Sequence, residues 1–413
     1  MRPPAQSPQT PKPPEAPQTP EAPKRARRRR RPPPEPFRAF DPSEPIEPLA
    51  DRVEQWLLWE QQANLVGFRV STQPVEIEVA WVPRGALDVR VTPGAPEVLL
   101  RRFLREGQVC FPRHPLNEDP SVAHDDAPAA ERWVARFTSS RTLAVPGEPL
   151  FSLKLATDYP HPDFHQPEKT KLREEASDAV QWVTLLARAE ARTGPDPLVD
   201  VVKEALAVLV PDSETCFLVR DLRVFQDGRY RLPALSIPWV GRQIARRHGV
   251  PFETFWADHY AEVVGRAKAR LFLRSGLQFD TPNPQNLLIE LDASLRPTGR
   301  IVIRDLGDAD CATDALDCLD RELPWTRLRA DLKPETSISF WAFDEAGAHG
   351  VDAGSLAVWR ARHDRGYADE LARAFPGLAP GPDLDLAEAL AHWNERLRDP
   401  RAVARFRRPP SGA

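Results

Sequence analysis

The chain is 413 residues long, with 41% hydrophobic and 28% charged residues; it can bury a large core, and two or three domains or subdomains of an ordinary enzyme are expected. No apolar run is long enough to cross a bilayer and no signal-like apolar core follows the N-terminus, so a cytoplasmic location without a membrane partner is expected. The formal net charge is −4; residues 1–36 hold nine Lys or Arg against three Glu, which leaves −10 for the remainder and argues against a nucleic-acid-binding core.

Residues 1–36 also carry 13 of the 46 prolines and end in an arginine run. They read as a disordered, partly polyproline-like tail that solubilises or tethers, with contact to anionic polymers as the other option. The folded part is expected to begin near Asp41, where Val53, Trp56, Leu57, Glu60 and Asn64 follow helical spacing behind a cap-like Asp51. Residues 75–79 and 87–91 alternate and read as a hairpin through Pro83-Arg84-Gly85. A short helix is expected at 99–104 and a strand at 149–157. Leu172, Ala176, Ala179, Val180, Val183, Leu186 and Ala187 form one stripe of a long helix.

A second helix is expected at about 197–210 and a strand at 216–224 carrying Arg220 and Asp221, followed by a helix at 251–275 stopped by Gly276. Residues 287–291 and 300–304 read as two strands joined by a turn around Pro297-Thr298-Gly299. Antiparallel pairing would then set Gln285 and Asn286 beside Asp305. From Leu319 onward the chain reads as helical, anchored by Trp325, Trp341, Trp359 and Trp393. Hairpins and long helices without regular strand–helix alternation indicate an α+β fold. Cys110, Cys216, Cys311 and Cys318 lack a Cys-x-x-Cys pair and read as reduced thiols.

The chemistry concentrates in a few segments. In Ser139-Ser140-Arg141-Thr142, small hydroxyls flank a forked guanidinium suited to phosphate oxygens, and Lys154 adds a point charge. Gln285, Asn286 and Asp305 supply oxygen ligands for a hard cation such as Mg2+ without a full protein cage. The plain alternatives are turn caps at Ser139 and Thr142, a half-solvated strand position at Lys154 and a surface ion pair at Arg304-Asp305.

Taken in order, His114-Pro115, Ser139 to Thr142, Lys154, Arg173, Asn283-Pro284-Gln285-Asn286 and Arg304-Asp305 resemble the motif series of the aerobactin-type siderophore synthetases, which build siderophores without a peptide-synthetase assembly line. The resemblance covers roughly residues 110–310. It implies a palm, fingers and thumb architecture, with a shortened thumb-like region at 41–135, a fingers-like nucleotide-binding region at 136–230 and a palm-like region at 231–408. It also implies ATP and Mg2+ as cofactors. The reaction would be adenylation of a polycarboxylic acid, citrate or similar, and its condensation with an amine or alcohol acceptor. On this reading Arg141, Lys154 and Arg304 are catalytic, and ATP is held by Ser139, Arg141, Thr142, Lys154, Arg173, Asn283 and Gln285. Asn286, Asp305 and Asp280 would hold the metal, and His114 and Arg220 the acid. A homodimer would be the common state.

The family's Glu-x-His-x-Gln-Asn segment has Asn283 in place of its His. Its acidic position falls on Thr281 or, with one inserted residue, on Asp280. Asn carries neither a proton to transfer nor a positive charge, so a non-catalytic relative is the first alternative. The second is a phosphotransferase of the aminoglycoside-kinase type, which residues 283–289 and 303–308 also resemble. That loop wants a base Asp five residues before its Asn, where this chain has Thr281.

Overall fold

The computed structural model describes residues 49–64, 73–117, 131–158, 169–279, 282–312, 328–329, 338–341, 343, 346, 349–379 and 385–397. The tail at 1–36, Asp280, Thr281, Cys318 and Trp325 lie outside these residues. Among the described residues no helix is long and apolar enough to cross a membrane.

Helix α1 (Leu49–Asn64) starts ahead of Asp51, which is therefore internal rather than a cap. Its stripe buries Val53, Trp56 and Leu57. The next strands are β1 (Val75–Pro83) and β2 (Asp88–Val91), then α2 (Glu97–Phe103), β3 (Leu104–Arg105), β4 (Gln108–Pro112) and β5 (Glu131–Phe137). The expected hairpin of β1 with β2 does not form. Arg84–Ala86 makes a 3-10 turn rather than a tight two-residue hairpin turn, so the two strands part. β1 pairs with β4 on one side and β5 on the other.

The chain continues through β6 (Thr142–Ala144), β7 (Phe151–Leu155), α3 (Lys169–Thr193), β8 (Val199–Val201), β9 (Glu204–Leu209) and β10 (Cys216–Asp221). The helix expected at 197–210 is thus two strands. A short apolar run cannot be divided between helix and strand by periodicity, and here the β-branched Val199, Val201, Val202, Val208 and Val210 favour extension. Asp196 Oδ1 turns the chain into β8 by accepting the N–H groups of Leu198 at 2.8 Å and Val199 at 3.2 Å.

Nine strands form one sheet in the order β2-β9-β10-β7-β6-β5-β1-β4-β3. It joins strands from both regions expected on either side of residue 135. One face packs Phe103, Phe111, Trp133, Phe151 and Phe217 into an aromatic core. On the other, Leu172, Ala176, Ala179 and Val180 of α3 cover Ala207, Leu209, Cys216 and Leu218.

A second sheet is built around β13 (Leu287–Leu291) and β14 (Pro297–Ile303), with β11 (Tyr230–Pro233) on one side and β8 on the other. β13 and β14 are antiparallel, Leu287 opposite Ile303. Their turn lies at residues 292–296, earlier than expected, because Asp292 Oδ1 accepts the N–H groups of Ser294 (2.8 Å) and Arg296 (2.9 Å). The helix expected at 251–275 is observed as α5 (Phe252–Trp256), a π turn at Ala257–Ala261 and α6 (Glu262–Ser275), after the short α4 (Arg242–Arg247). Gly276 ends it at φ 76°, its N–H bonded to Phe272 O.

Helix α7 (Ala353–Ala374) crosses α6 where Gly265 and Gly366 face the partner backbone; a Cβ on either would overlap the carbonyl of His363 or Glu262. With α8 (Leu386–Arg396) it buries Trp359 and Trp393, whereas Trp341 is 40% exposed. The stretch expected to be helical throughout also contains β16 (Leu328–Arg329), which extends a small sheet of β12 (Leu277–Gln278) and β15 (Asp310–Ala312).

Candidate nucleotide and metal site

The covered face of the large sheet turns polar where α3 stops covering it with apolar side chains. Alternation along β7 sets Ser152 and Lys154 on the same side as Ala156, and Arg220 of β10 stands opposite Ser152. A bulge then shifts the β9–β10 register after Val219, so Glu204 rather than Ala205 opposes Arg220. Bulges re-aim side chains in this way, and here the result is a buried carboxylate facing a buried guanidinium at 3.2 Å.

Asp305 reaches this face from the second sheet. Beyond β14 the Arg304 N–H bonds Asn286 O at 3.0 Å, Asp305 takes φ 67° in the left-handed region, and a 3-10 turn follows at Leu306–Asp308. That turn lies directly on α3: a Cβ on Gly307 would stand 2.6 Å from Glu175 O. The close approach presents Asp305 to the cations. Lys154 Nζ is 2.5 Å from both Asp305 Oδ1 and Glu175 Oε2. A guanidinium nitrogen of Arg220 is 2.6 Å from Asp305 Oδ1, and Arg141 lies 3.4 Å from Glu175 Oε2.

Three cations and three carboxylates therefore cancel formally in one cluster. Lys154 is 2% exposed and Arg220 3%, and solvent reaches the group mainly at Arg141 (11%) and Asp305 (15%). Burial alone would raise the Asp305 carboxyl, but Arg220 and Lys154 overcome it and hold it below the usual carboxylate range. Glu204 goes the other way, because burial pushes it up against the pull of Arg220. The Ser152 hydroxyl and the second Glu204 oxygen are buried without a hydrogen-bond partner among the described residues.

The expected residues divide clearly. Arg141, Lys154, Arg220 and Asp305 come together, and Thr142 stands opposite Lys154 across β6 and β7. Ser139 forms the turn ahead of it, its N–H directed at Thr142 O (3.3 Å). Neither Lys154 nor Arg304 is the surface group of the plain reading. Gln285 and Asn286 flank Asp305 as antiparallel pairing requires, and Asn283 caps their turn by accepting the Gln285 N–H at 2.9 Å. Asp280 is outside the described residues.

Three residues stand apart from the cluster. The guanidinium of Arg304, expected to be catalytic, is turned away into a paired contact with Glu60 of α1 at 2.8 and 2.5 Å, and its Nε donates to Gln285 O at 2.9 Å. It ties the loop to α1 rather than joining the cluster. Arg173 donates to the carbonyls of Val210 and Ser213 at the β9–β10 turn, so its reach is spent on backbone. His114 is buried beneath the Ser139–Arg141 turn: Leu116 N–H donates to its Nδ1 at 3.2 Å, which leaves Nε2 to donate to Ser140 O at 2.9 Å. Burial pushes its pKa down to about 4, so the ring is a neutral prop for that turn.

Glu60, Glu175 and Glu204 belong to the site's framework and were not singled out for it by sequence. The signal was present for two of them, since Glu60 and Glu175 fall on the apolar stripes of α1 and α3.

No protein-family model matches the sequence, and no curated protein matches it. Solved structures do. The ATP-bound aerobactin synthetase IucA of Klebsiella pneumoniae superposes with a TM-score of 0.50 at 16% identity, covering 80% of this chain and 72% of that one. The aerobactin synthetase IucC of the same organism gives 0.50 at 14% identity, over 84% and 73%. The chain has the siderophore-synthetase fold. In this siderophore-synthetase-like protein the α+β architecture expected from sequence is the observed one, and the polar cluster lies where the large sheet meets the β13–β14 hairpin.

Proposed function

We propose that the protein is an ATP-dependent ligase that adenylates a polycarboxylic acid and condenses it with an amine or alcohol. The observation that carries this reading is the gathering of Lys154 and Arg220 on Asp305 and of Arg141 and Lys154 on Glu175. A carboxylate attacking the α-phosphorus of ATP expels pyrophosphate, and the acceptor then attacks the acyl carbon and expels AMP. Neither step needs a protein nucleophile; both need fixed positive charge where phosphate oxygens gain negative charge. Arg141 and Lys154 are the donors for the phosphate chain, with the turn at Ser139 and Thr142 shaping its seat. On this reading Arg220 is the cation that holds a carboxylate of the acid.

Among the described residues no three His, Cys, Asp or Glu side chains gather as a metal cage. Mg2+ typically takes one or two protein carboxylates and completes its shell with phosphate oxygens and water. Asp305, kept ionised by its neighbours, and Asn286 beside it fit such a role. When bound, Mg2+ supplies Lewis-acid neutralisation of the phosphates.

The test is product analysis with ATP, Mg2+, citrate and hydroxylamine, following pyrophosphate, ADP and hydroxamate separately. Citrate-dependent pyrophosphate and hydroxamate are expected, and Lys154→Ala should lower both by about 100-fold or more. Release of ADP would instead establish a phosphotransferase.

A further inference from the structure

The cations that suit phosphate are already occupied by the protein's own acids. Lys154 Nζ sits between Glu175 and Asp305 at 2.5 Å from each, Arg220 is bonded to the same Asp305 oxygen, and Arg141 reaches Glu175. Glu175 is fully buried, fixed on α3, and backed by the Gly307 turn. A polyphosphate entering at Arg141 and Asp305, where solvent reaches, would meet a formally neutral cluster whose cations are already engaged by carboxylates.

We propose that Glu175 and Asp305 are internal competitors for the phosphate chain, so that polyphosphate and a divalent cation enter this site only as a pair, with Glu175 setting the strength of that coupling. The inference rests on the nucleotide reading above and deepens it. Its logic is charge exchange. A cation that takes Asp305 withdraws that carboxylate from Lys154 and Arg220, which frees Lys154 for phosphate and Arg220 for the acid. Without the cation, a bare polyphosphate must displace Asp305 from two cations while remaining close to it, at a cost in like-charge repulsion. Glu175 differs because it stays on its helix and keeps a share of Lys154 and Arg141 in either state. It therefore weakens the bare anion most, because that anion depends wholly on those cations. By linkage, the factor by which the cation improves polyphosphate binding equals the factor by which polyphosphate improves cation binding.

The experiment is calorimetric titration of ATP, without any carboxylic acid, into the full chain in EDTA and in excess Mg2+, for the wild type and for Glu175→Gln. The wild type is expected to bind ATP at least about tenfold more weakly in EDTA, and Glu175→Gln should recover about tenfold in EDTA with a smaller change in Mg2+. Equal wild-type affinity in the two buffers would overturn the coupling while leaving the nucleotide reading intact. An unchanged EDTA affinity in a folded Glu175→Gln would remove Glu175 from it. No ATP binding in any condition would sink both readings. Because the wild-type comparison needs no variant, the inference stays testable even if Glu175→Gln does not fold. Manganese titration of the wild type, with and without ATP, gives the reciprocal factor by an independent signal.

Discussion

The pair formed by Glu60 and Arg304 offers a direct check on how the site is held. Glu60 is 0% exposed and Arg304 4%, their side chains meet through two hydrogen bonds, and Arg304 is further bonded to Gln285 O. Replacing Glu60 with Leu keeps similar volume and removes both acceptors, leaving a buried guanidinium with one carbonyl. Breaking a buried pair from one side in this way costs about 3–5 kcal/mol. Denaturant unfolding followed by circular dichroism should show that loss as a lower midpoint at unchanged slope. The double variant Glu60→Leu with Arg304→Met removes the stranded charge and should regain most of the stability. Methionine cannot hold the Gln285 carbonyl, so ATP affinity should stay low in the double variant although its fold is restored. A loss under about 1 kcal/mol in Glu60→Leu, or wild-type ATP affinity in the double variant, would refute the positioning role.

Two further outcomes follow from local geometry. In Gly307→Ala the new Cβ would lie 2.6 Å from the carbonyl oxygen of Glu175 and 2.8 Å from its Cα; backbone cannot yield cheaply, so stability should fall by about 1–3 kcal/mol, and ATP titration should show weaker binding as Asp305 moves off Lys154. His114 is set at about 4, below the 6.5 of an unburied imidazole, so the unfolded chain binds its proton more tightly. Its contribution is complete above about pH 6.5 and is lost as pH falls toward 4, by about 3 kcal/mol at the end of that window. His114→Gln should flatten stability over that range in urea unfolding, and an identical slope in the two proteins would refute the assignment.

What could be read from sequence was what is local. The α3 stripe, the helix ending at Gly276 and the 287–303 hairpin each declare themselves through periodicity and a stop residue within one element. The hairpin even delivered the adjacency of Asn286 and Asp305, because antiparallel pairing fixes which ends meet. Residues 197–210 were misread for the complementary reason: a continuous apolar run has no period, and only the partners of β8 and β9 decide its form. The parting of β1 from β2 likewise depends on later strands, since β1 takes β4 and β5 while β2 takes β9, more than a hundred residues downstream. At the site, sequence pointed to the cations and to Asp305 but not to Glu60, Glu175 or Glu204. Glu60 and Glu175 fall on apolar stripes, which marks them for burial but not for a partner, and Glu204 faces Arg220 only because of a bulge with no sequence mark. The roles of Arg173 and Arg304 were unreadable because a guanidinium motif does not say whether its partner is ligand, backbone or carboxylate.

The sequence separations within the cluster bear on how the chain matures. Lys154 and Asp305 are 151 residues apart, Arg220 and Asp305 are 85, and Glu60 and Arg304 are 244. During synthesis the last strand of the large sheet, β10, is made roughly 4–17 s before Asp305, which pairs with two of the sheet's buried cations. Until then Lys154 has only Glu175 and Arg220 only Glu204, and each lacks the second carboxylate that accompanies its native burial. The sheet therefore cannot close its polar end alone and waits, partly hydrated, for the hairpin. Arrival of Asp305 is then a checkpoint in folding as well as the last step in building a site, and a nascent chain stalled before it should remain open to proteases at α3.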